Sequence, residues 1–571
     1  MPLASTHPGT QGNAMTSPTP EFPTAADEAF PTLTTEQLVR LRSYGTPQEV
    51  AVGDTVFKAG DTSIDLVVID EGTVDIVRPP THERPEEVVA SHGAGRFLGE
   101  LTMLTGQVAY LTARVVETGH IHRVSPDRFR QLMEADPELS DLLMRAFFAR
   151  RMFLRAGAAA QTVEIVGSSL SAATLALRTY AARQMLPHVW LDSDDPAGQA
   201  LMSAAGLATA DLPAVLTPGA VLQRVTPGRL AEILGLSYTR STDKPVDLTV
   251  VGAGPAGLAA ALYAASEGLD TVLLDAIGPG GQAAASSRIE NYLGFPSGIS
   301  GGDLTSRAAL QALKFGAELS SPCEVVALDT SSERLRIVLA DGNQITTRAV
   351  VVATGAHYRK LPLERWADFE GAGIYYAATE LEARDCRGNP VTVIGGANSA
   401  GQAALYLAGR GNEVTLAVRK ADIRASMSAY LVDRLLAHPR VPVRTATQVT
   451  GLGGETSLAN IRLTSSATGQ ETEQSCGGLF CFIGAEPATA WLKSVATDAD
   501  GFIRTDVQLR DEDLRDTWPA LGRPPLPFET SVPAVFAAGD VRLGSMKRVA
   551  AAVGEGASAV RSVHISIGVH G

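Results

Sequence analysis

Two glycine-rich turns in this chain have the spacing that lets a backbone close on a pyrophosphate. Gly252-Ala253-Gly254-Pro255-Ala256-Gly257 follows the apolar run Leu248–Val251 and opens a helical pattern. The first glycine permits a tight turn, the second lets a phosphate approach the backbone, and the third lets the helix pack on the strand. The next apolar run ends at Asp275, where a carboxylate can bind ribose hydroxyls. The second turn is Gly395-Gly396-Ala397-Asn398-Ser399-Ala400, and Arg419, Lys420 and Arg424 follow the strand after it. Basic residues there suit a 2′-phosphate and favour NADPH over NADH. Read only as charges, the same three residues also describe a solvated loop. Two such units in one chain mean two dinucleotide sites.

Thiol chemistry has a thinner basis. The four cysteines are Cys323, Cys386, Cys476 and Cys481, and none form Cys-x-x-Cys. They are too few for a disulfide scaffold and read as reduced thiols in a cytosol. No grouping of His, Cys and carboxylates suggests a metal. The net charge of −14 argues against a nucleic-acid partner. No apolar run approaches the roughly 20 residues a membrane span needs. The first Lys or Arg is Arg40, so neither an export signal nor an Arg-rich transit peptide is expected. The expected setting is cytoplasmic.

The elements that must hold these turns divide a 571-residue chain into several domains. Residues 1–31, rich in Pro, Thr, Ser and Ala, read as a disordered leader, with Met15 as an alternative start. Over 32–157, short β-runs broken by Gly and Asp extend to about Val124. One long helical pattern follows to about Arg155, capped by Ser125 with Pro126 in its first turn. Residues 160–240 read as a small α/β unit. Its strands are Thr162–Val166, His188–Asp192 and Leu212–Leu216, with a helix ending near Gln184 and a closing helix Thr226–Leu236. From Val246 onward the pattern is doubly wound α/β.

The stretch Val246–Val563 resembles the low-molecular-weight thioredoxin reductases. The motifs that carry this resemblance occur in order. They are Gly280-Gly281-Gln282, Glu290-Asn291-Tyr292-Leu293-Gly294-Phe295-Pro296, Ala353-Thr354-Gly355, the second glycine-rich turn, Ile483-Gly484-Ala485-Glu486-Pro487 and Ala538-Gly539-Asp540-Val541. The resemblance implies FAD bound by Gly252, Gly254, Pro255, Ala256 and Gly257, with Asp275, Gly281, Gln282, Asn291, Gly355, Gly539, Asp540 and Lys547-Arg548-Val549. It implies an FAD domain in two parts, 245–356 and 471–571, around an NADPH domain over 357–470, and a homodimer. Asp540 follows an apolar strand, where a carboxylate can accept from a ribityl hydroxyl. One departure is decisive for function. The family's Cys-x-x-Cys falls on Ala378-Thr379-Glu380-Leu381, so the relay from flavin through a dithiol to thioredoxin has no thiols at Ala378 and Leu381. Cys386, alone nearby, reads as a buried small side chain. Related cysteine-free enzymes of this fold reduce ferredoxin or flavodoxin.

The N-terminal domain resembles a cyclic-nucleotide-binding β-barrel. Gly95-Arg96-Phe97-Leu98-Gly99-Glu100-Leu101 resembles the start of its phosphate-binding cassette, with Glu100 placed for a ribose hydroxyl. The cassette's arginine falls on Ala109 by spacing, which removes the phosphate's bidentate partner; Arg114 is nearby, and the sequence leaves open whether it faces the pocket or solvent. The middle unit resembles a thioredoxin or glutaredoxin domain, with Leu212-Pro213 at the fold's cis-proline. Ser168-Ser169-Leu170-Ser171 stands where redox cysteines would be. The expected fold is thus a multidomain chain: a cyclic-nucleotide-binding-like β-barrel with helices, a small thioredoxin-like α/β unit and two Rossmann-like domains. The expected activity is FAD-dependent NADPH oxidation toward an unidentified acceptor, a small molecule or a redox protein, gated by a cyclic nucleotide or another small ligand. One alternative is a flavin or nucleotide sensor with incidental turnover. Another keeps disulfide reduction, using Cys386 with a partner thiol; the missing second cysteine weighs against it.

Overall fold

The computed structural model describes residues 28–568, apart from 82–83, 158–161, 169–170, 219, 239–243, 287–288, 290, 333, 371–372, 377, 379–382, 384–385, 387, 456 and 515–516. Leu381, Glu290 and Ser169-Leu170 therefore lie outside the described residues.

Six antiparallel strands build the N-terminal domain, with Thr46–Val50, Thr112–Val124, Leu66–Arg78 and Glu87–His92 adjacent in that order. Strand alternation turns Ala113, Val115 and Ile121 inward against Val67, Ile69 and Leu98. The expected single helix after Ser125 is two helices, Pro126–Ala135 and Pro137–Ala156. Pro137 disfavours helical backbone in the residue before it. Asp136 is extended, and its carboxylate caps the second helix through the Leu139 amide at 3.1 Å. Of the expected leader, residues 28–31 are instead part of the packed domain. Ala29 is fully buried and its carbonyl accepts from Arg150 Nε at 2.7 Å.

The middle unit is a four-stranded sheet in the order Ala220–Leu222, Ala214–Thr217, Glu164–Gly167, Val189–Asp192, and Leu212–Pro213 is cis. The expected strands and helices are present within two or three residues of their ends. The helix Pro196–Ala205 and the strand Ala220–Leu222 were not expected. The helix is mostly small residues without an apolar stripe, so periodicity does not reveal it. Gly198 is required where it packs, because a Cβ there would stand 1.9 Å from the Asp192 carbonyl oxygen.

The first dinucleotide unit centres on parallel strands Glu318–Ser320, Thr271–Leu274, Val246–Val251, Gln344–Val352 and Val535–Ala537. The second has a five-stranded parallel sheet in the order Ile374–Tyr375, Gly478–Cys481, Val391–Ile394, Val414–Ala417, Val443–Arg444. Its boundary is later than the expected 470, because Glu471–Ser475 and Gly478–Cys481 both pair within this unit. The chain returns to the first unit through Ala485–Pro487. That segment pairs antiparallel with Ala356–Tyr358, so two strands connect the units.

The domains share packing surfaces. Leu310, on the Gly301–Lys314 helix of the first dinucleotide unit, is buried in the core under the barrel beside Leu139, Leu143 and Phe147.

Candidate functional site

Four loops converge at the carboxyl ends of the first unit's strands. Gly252 has φ +102°, and a Cβ there would lie 2.4 Å from the Ala353 carbonyl oxygen. A Cβ on Gly257 would lie 1.8 Å from the Gly252 carbonyl oxygen, so the third glycine lets helix and turn touch. Gly254 differs: its nearest neighbour would be the Gly281 Cα at 3.9 Å, so its missing side chain keeps a surface open. The helix Pro255–Ser266 begins there with no side-chain cap, whereas Thr34, Ser125, Ser171, Thr226 and Ser300 each cap theirs. Uncapped amides beside an open glycine surface suit an anionic pyrophosphate.

Asp275 binds the loop itself. Its carboxylate accepts from the amides of Ala253 at 2.7 Å, Ile277 at 2.9 Å and Gly278 at 2.8 Å. The Gln282 side-chain amide donates to the Ala356 carbonyl, and Asn291 lies on an exposed turn. Gly355 has φ +72°, and its carbonyl accepts from Ala488 while Thr354 Oγ1 donates to the Ala488 carbonyl at 2.8 Å. Gly539 packs on Ala256, where an added Cβ would approach to 2.8 Å. Asp540 follows it, partly buried, and accepts no hydrogen bond from the described residues. Burial raises its carboxyl pKa, opposed by the nearby Lys547 and Arg548 cations. A partly buried carboxylate with no hydrogen-bond donor among the described residues fits a polyol chain. Val549 begins the last helix, Val549–Ile567, also without a side-chain cap.

In the second unit a Cβ on Gly395 would lie 2.4 Å from the Phe482 carbonyl oxygen. The helix Asn398–Gly409 starts after Ala397 without a side-chain cap, with Ser399 exposed and Ala400 buried. Asn398 is clamped from above: its Nδ2 donates to Ser428 Oγ at 2.9 Å and its Oδ1 accepts from the Ser428 amide at 2.8 Å. Arg419 and Lys420 are exposed and ion-pair with no described residue. Arg424 is engaged by Asp433 at 3.1 Å.

Thiol chemistry finds no support in the packing. All four cysteines are buried and none forms a disulfide. Cys386 is 1 % exposed in the second unit's core, against which Ala378 also packs. Burial pushes Cys323 up to about 12 and raises Cys476 and Cys481. A nucleophilic thiol needs the opposite shift.

In the barrel, the Glu100 carboxylate is held from both sides of its fork by Arg151, with Nη2 at 2.7 Å from Oε2 and Nε on Oε1. Leu101 is buried, and Gly99 sits at φ +153° against Leu66 and Phe147. Arg114 faces outward and pairs with Glu86 at 2.8 Å; its neighbours Ala113 and Val115 take the inward positions. It does not replace the missing cassette arginine, for this reason of strand alternation.

Sequence patterns gave no sign of the contacts between domains. Arg183, at the end of the helix Ala172–Arg183, donates to the carbonyls of Gly278 at 3.3 Å and Gly281 at 3.1 Å. Arg151 also donates to Gln107 Oε1 at 3.0 Å, and Gln107 donates to the Gln184 carbonyl at 3.4 Å. Gln184 in turn donates to Ser321 Oγ at 2.5 Å. Residues far apart in the chain thus join the cassette to Ser321, and the neighbouring Arg183 holds the loop at Gly278 and Gly281.

A family model for pyridine nucleotide-disulphide oxidoreductases matches residues 246–556, more than half of the chain, and one for cyclic nucleotide-binding domains matches 47–136. The thioredoxin reductase of Treponema pallidum is 33% identical over 316 residues, 55% of this chain and 95% of that protein. That of Listeria innocua is 32% identical over 320 residues, 55% and 92% respectively. Among solved structures, thioredoxin reductase from Streptococcus pyogenes is 29% identical and covers 58% of this chain and 100% of its own, with a TM-score of 0.49.

Proposed function

We propose, on the premise that this chain belongs to the pyridine nucleotide-disulphide oxidoreductase family and is an FAD-dependent NAD(P)H oxidoreductase, that it oxidises NADPH and delivers electrons to an acceptor other than thioredoxin, under control of its N-terminal domain. The observation that carries this reading is Ala378 at the family's thiol position, together with four buried cysteines. When bound, the flavin supplies the hydride-accepting centre, for which no thiol is required. The chain's own part is to hold and orient. The open surface at Gly254 and the helix amides would receive the pyrophosphate, and Asp540 would accept from a hydroxyl of the cofactor. Gln282, tied to the Ala356 carbonyl, fixes the loop leading into the two-strand connection. Control by the barrel is supported by the hydrogen bonds from Glu100 through Arg151, Gln107 and Gln184 to Ser321, with Arg183 on the flavin-side loop. Thiols that form no disulfide suit a reducing, cytoplasmic compartment. Among the described residues no helix is long and apolar enough to cross a membrane. Homodimerisation is proposed from the family resemblance.

The test is rapid mixing with NADPH, followed by a thioredoxin-coupled insulin assay. Flavin bleaching is expected in the wild type and in a variant with all four cysteines changed to alanine, without thioredoxin turnover above the uncatalysed rate in either. Efficient thioredoxin turnover that disappears in Cys386→Ala would overturn the proposal.

The coenzyme preference is a separate expectation. Arg419 and Lys420 are free to meet a 2′-phosphate, and a charge-assisted contact is worth about 1.5–3 kcal/mol. Arg419→Ala/Lys420→Ala should raise KM for NADPH roughly tenfold or more and leave KM for NADH unchanged. Equal use of both coenzymes by the wild type would refute the assignment.

A further inference from the structure

The barrel contains a mostly apolar pocket whose walls include Phe57, Ile64, Ile76, Val89 and Leu98. A cyclic nucleotide would need a ribose acceptor and a phosphate cation here. Glu100, the acceptor, is bound on both oxygens by Arg151, and the cation's position is the Ala109 methyl, itself in the wall.

The polar groups left facing the pocket are of another kind. His92 is 3 % exposed, lines the pocket, and has a buried Nδ1 with no partner. Thr102 lines it too, and its buried Oγ1 is likewise unpartnered. Arg150 is 6 % exposed and reaches the same space. It donates to the carbonyls of Ala29, Gly99 and Phe97, three of the five donors a guanidinium carries. No described carboxylate ion-pairs with it. Of the two buried guanidiniums, Arg151 takes both oxygens of Glu100 and Arg150 is left without an ion pair, so the pocket's end keeps an excess positive charge. Burial pulls His92 down to about 3, with Arg150 and Arg96 adding to the effect, so the imidazole stays neutral at pH 7.

We infer that this pocket binds a small lipophilic monocarboxylate, its apolar body against the aliphatic walls and its carboxylate at Arg150, His92 and Thr102. The apolar walls supply the driving force, and a buried cation lacking a counterion selects an anion over a neutral molecule. The inference deepens the proposed control by the N-terminal domain. Ligand binding is measured directly, so its failure is distinguishable from failure of the flavoenzyme reading.

The experiment is titration calorimetry of the full-length, FAD-loaded protein with decanoate, decanol, cyclic AMP and cyclic GMP. Decanoate is expected to bind at one site, at least tenfold tighter than decanol and tighter than either cyclic nucleotide. Arg150→Gln should remove the preference for decanoate over decanol. Because that variant can also disturb the fold, Ala90→Trp is made beside it; Ala90 is a partly exposed wall residue, and the indole should fill the pocket and abolish binding. An unchanged melting transition and FAD content qualify each variant. No decanoate binding by the wild type, equal affinity for decanol, tighter cyclic-nucleotide binding, or undiminished binding in a folded Ala90→Trp protein would each overturn the inference.

Discussion

Gly254→Ala is expected to fold with wild-type stability and to purify without flavin colour, whereas Gly257→Ala loses both stability and flavin. The two glycines are three residues apart and face different neighbours. A methyl at Gly257 would sit 1.8 Å from the Gly252 carbonyl oxygen, a backbone atom that cannot rotate away. The turn and the helix must part, at a cost of about 1–3 kcal/mol for overpacking, and the helix amides move with them. A methyl at Gly254 meets nothing in the protein closer than 3.9 Å. It occupies instead the surface left open at the uncapped helix end. Losing that contact should weaken FAD by at least a hundredfold, or about 2.7 kcal/mol. Flavin absorbance per mole of protein and thermal melting separate the two effects. If Gly254→Ala retained FAD at wild-type affinity, the pyrophosphate would have to sit elsewhere.

Arg151→Met should be the most damaging substitution at the domain junction. The Arg151 side chain is wholly buried, and burial by itself would lower its pKa. The Glu100 carboxylate more than offsets this, and the net shift is upward. Removing one member of such a pair leaves the other charge uncompensated and typically costs about 3–5 kcal/mol. Gln107 and the Met185 carbonyl lose a donor at the same time. The transition of the N-terminal domains should fall by on the order of 10 °C. Glu100→Gln/Arg151→Met should recover most of the loss, because the pair is then replaced rather than broken. Calorimetric melting of the four proteins in this cycle gives the coupling. Additive losses would show that the pair contributes through packing alone. Flavin reduction by NADPH, measured in the double variant, reads the proposed control: an unchanged rate would mean that the junction only spaces the domains.

Both dinucleotide units were legible because their signal is local. A glycine turn between an apolar strand and a helix is specified by three or four backbone positions, and Gly252, Gly257 and Gly395 sit where a Cβ would strike a carbonyl oxygen. Asp275 was legible as a residue but not in its partners. The position after a strand predicts a carboxylate near the loop, while the three amides it binds follow from how the loop curls. The helix break at Asp136-Pro137 was concealed by the continuous apolar pattern on either side, although a proline marks the place. The second unit's later boundary depends on which sheet Gly478–Cys481 joins, and no local pattern states that.

The sequence by itself determined the two nucleotide turns, the absent thiol pair and the absent cassette arginine, because each depends on which atoms a side chain carries at a fixed spacing. Only the tertiary structure decided what Glu100, Arg150, Arg151 and Arg183 do. Glu100 and Arg151 stand on separate elements of one domain, and Arg183 meets Gly278 and Gly281 across a domain boundary. A charge is assigned a role by the partner that packing brings to it, and that partner lies dozens of residues away along the chain.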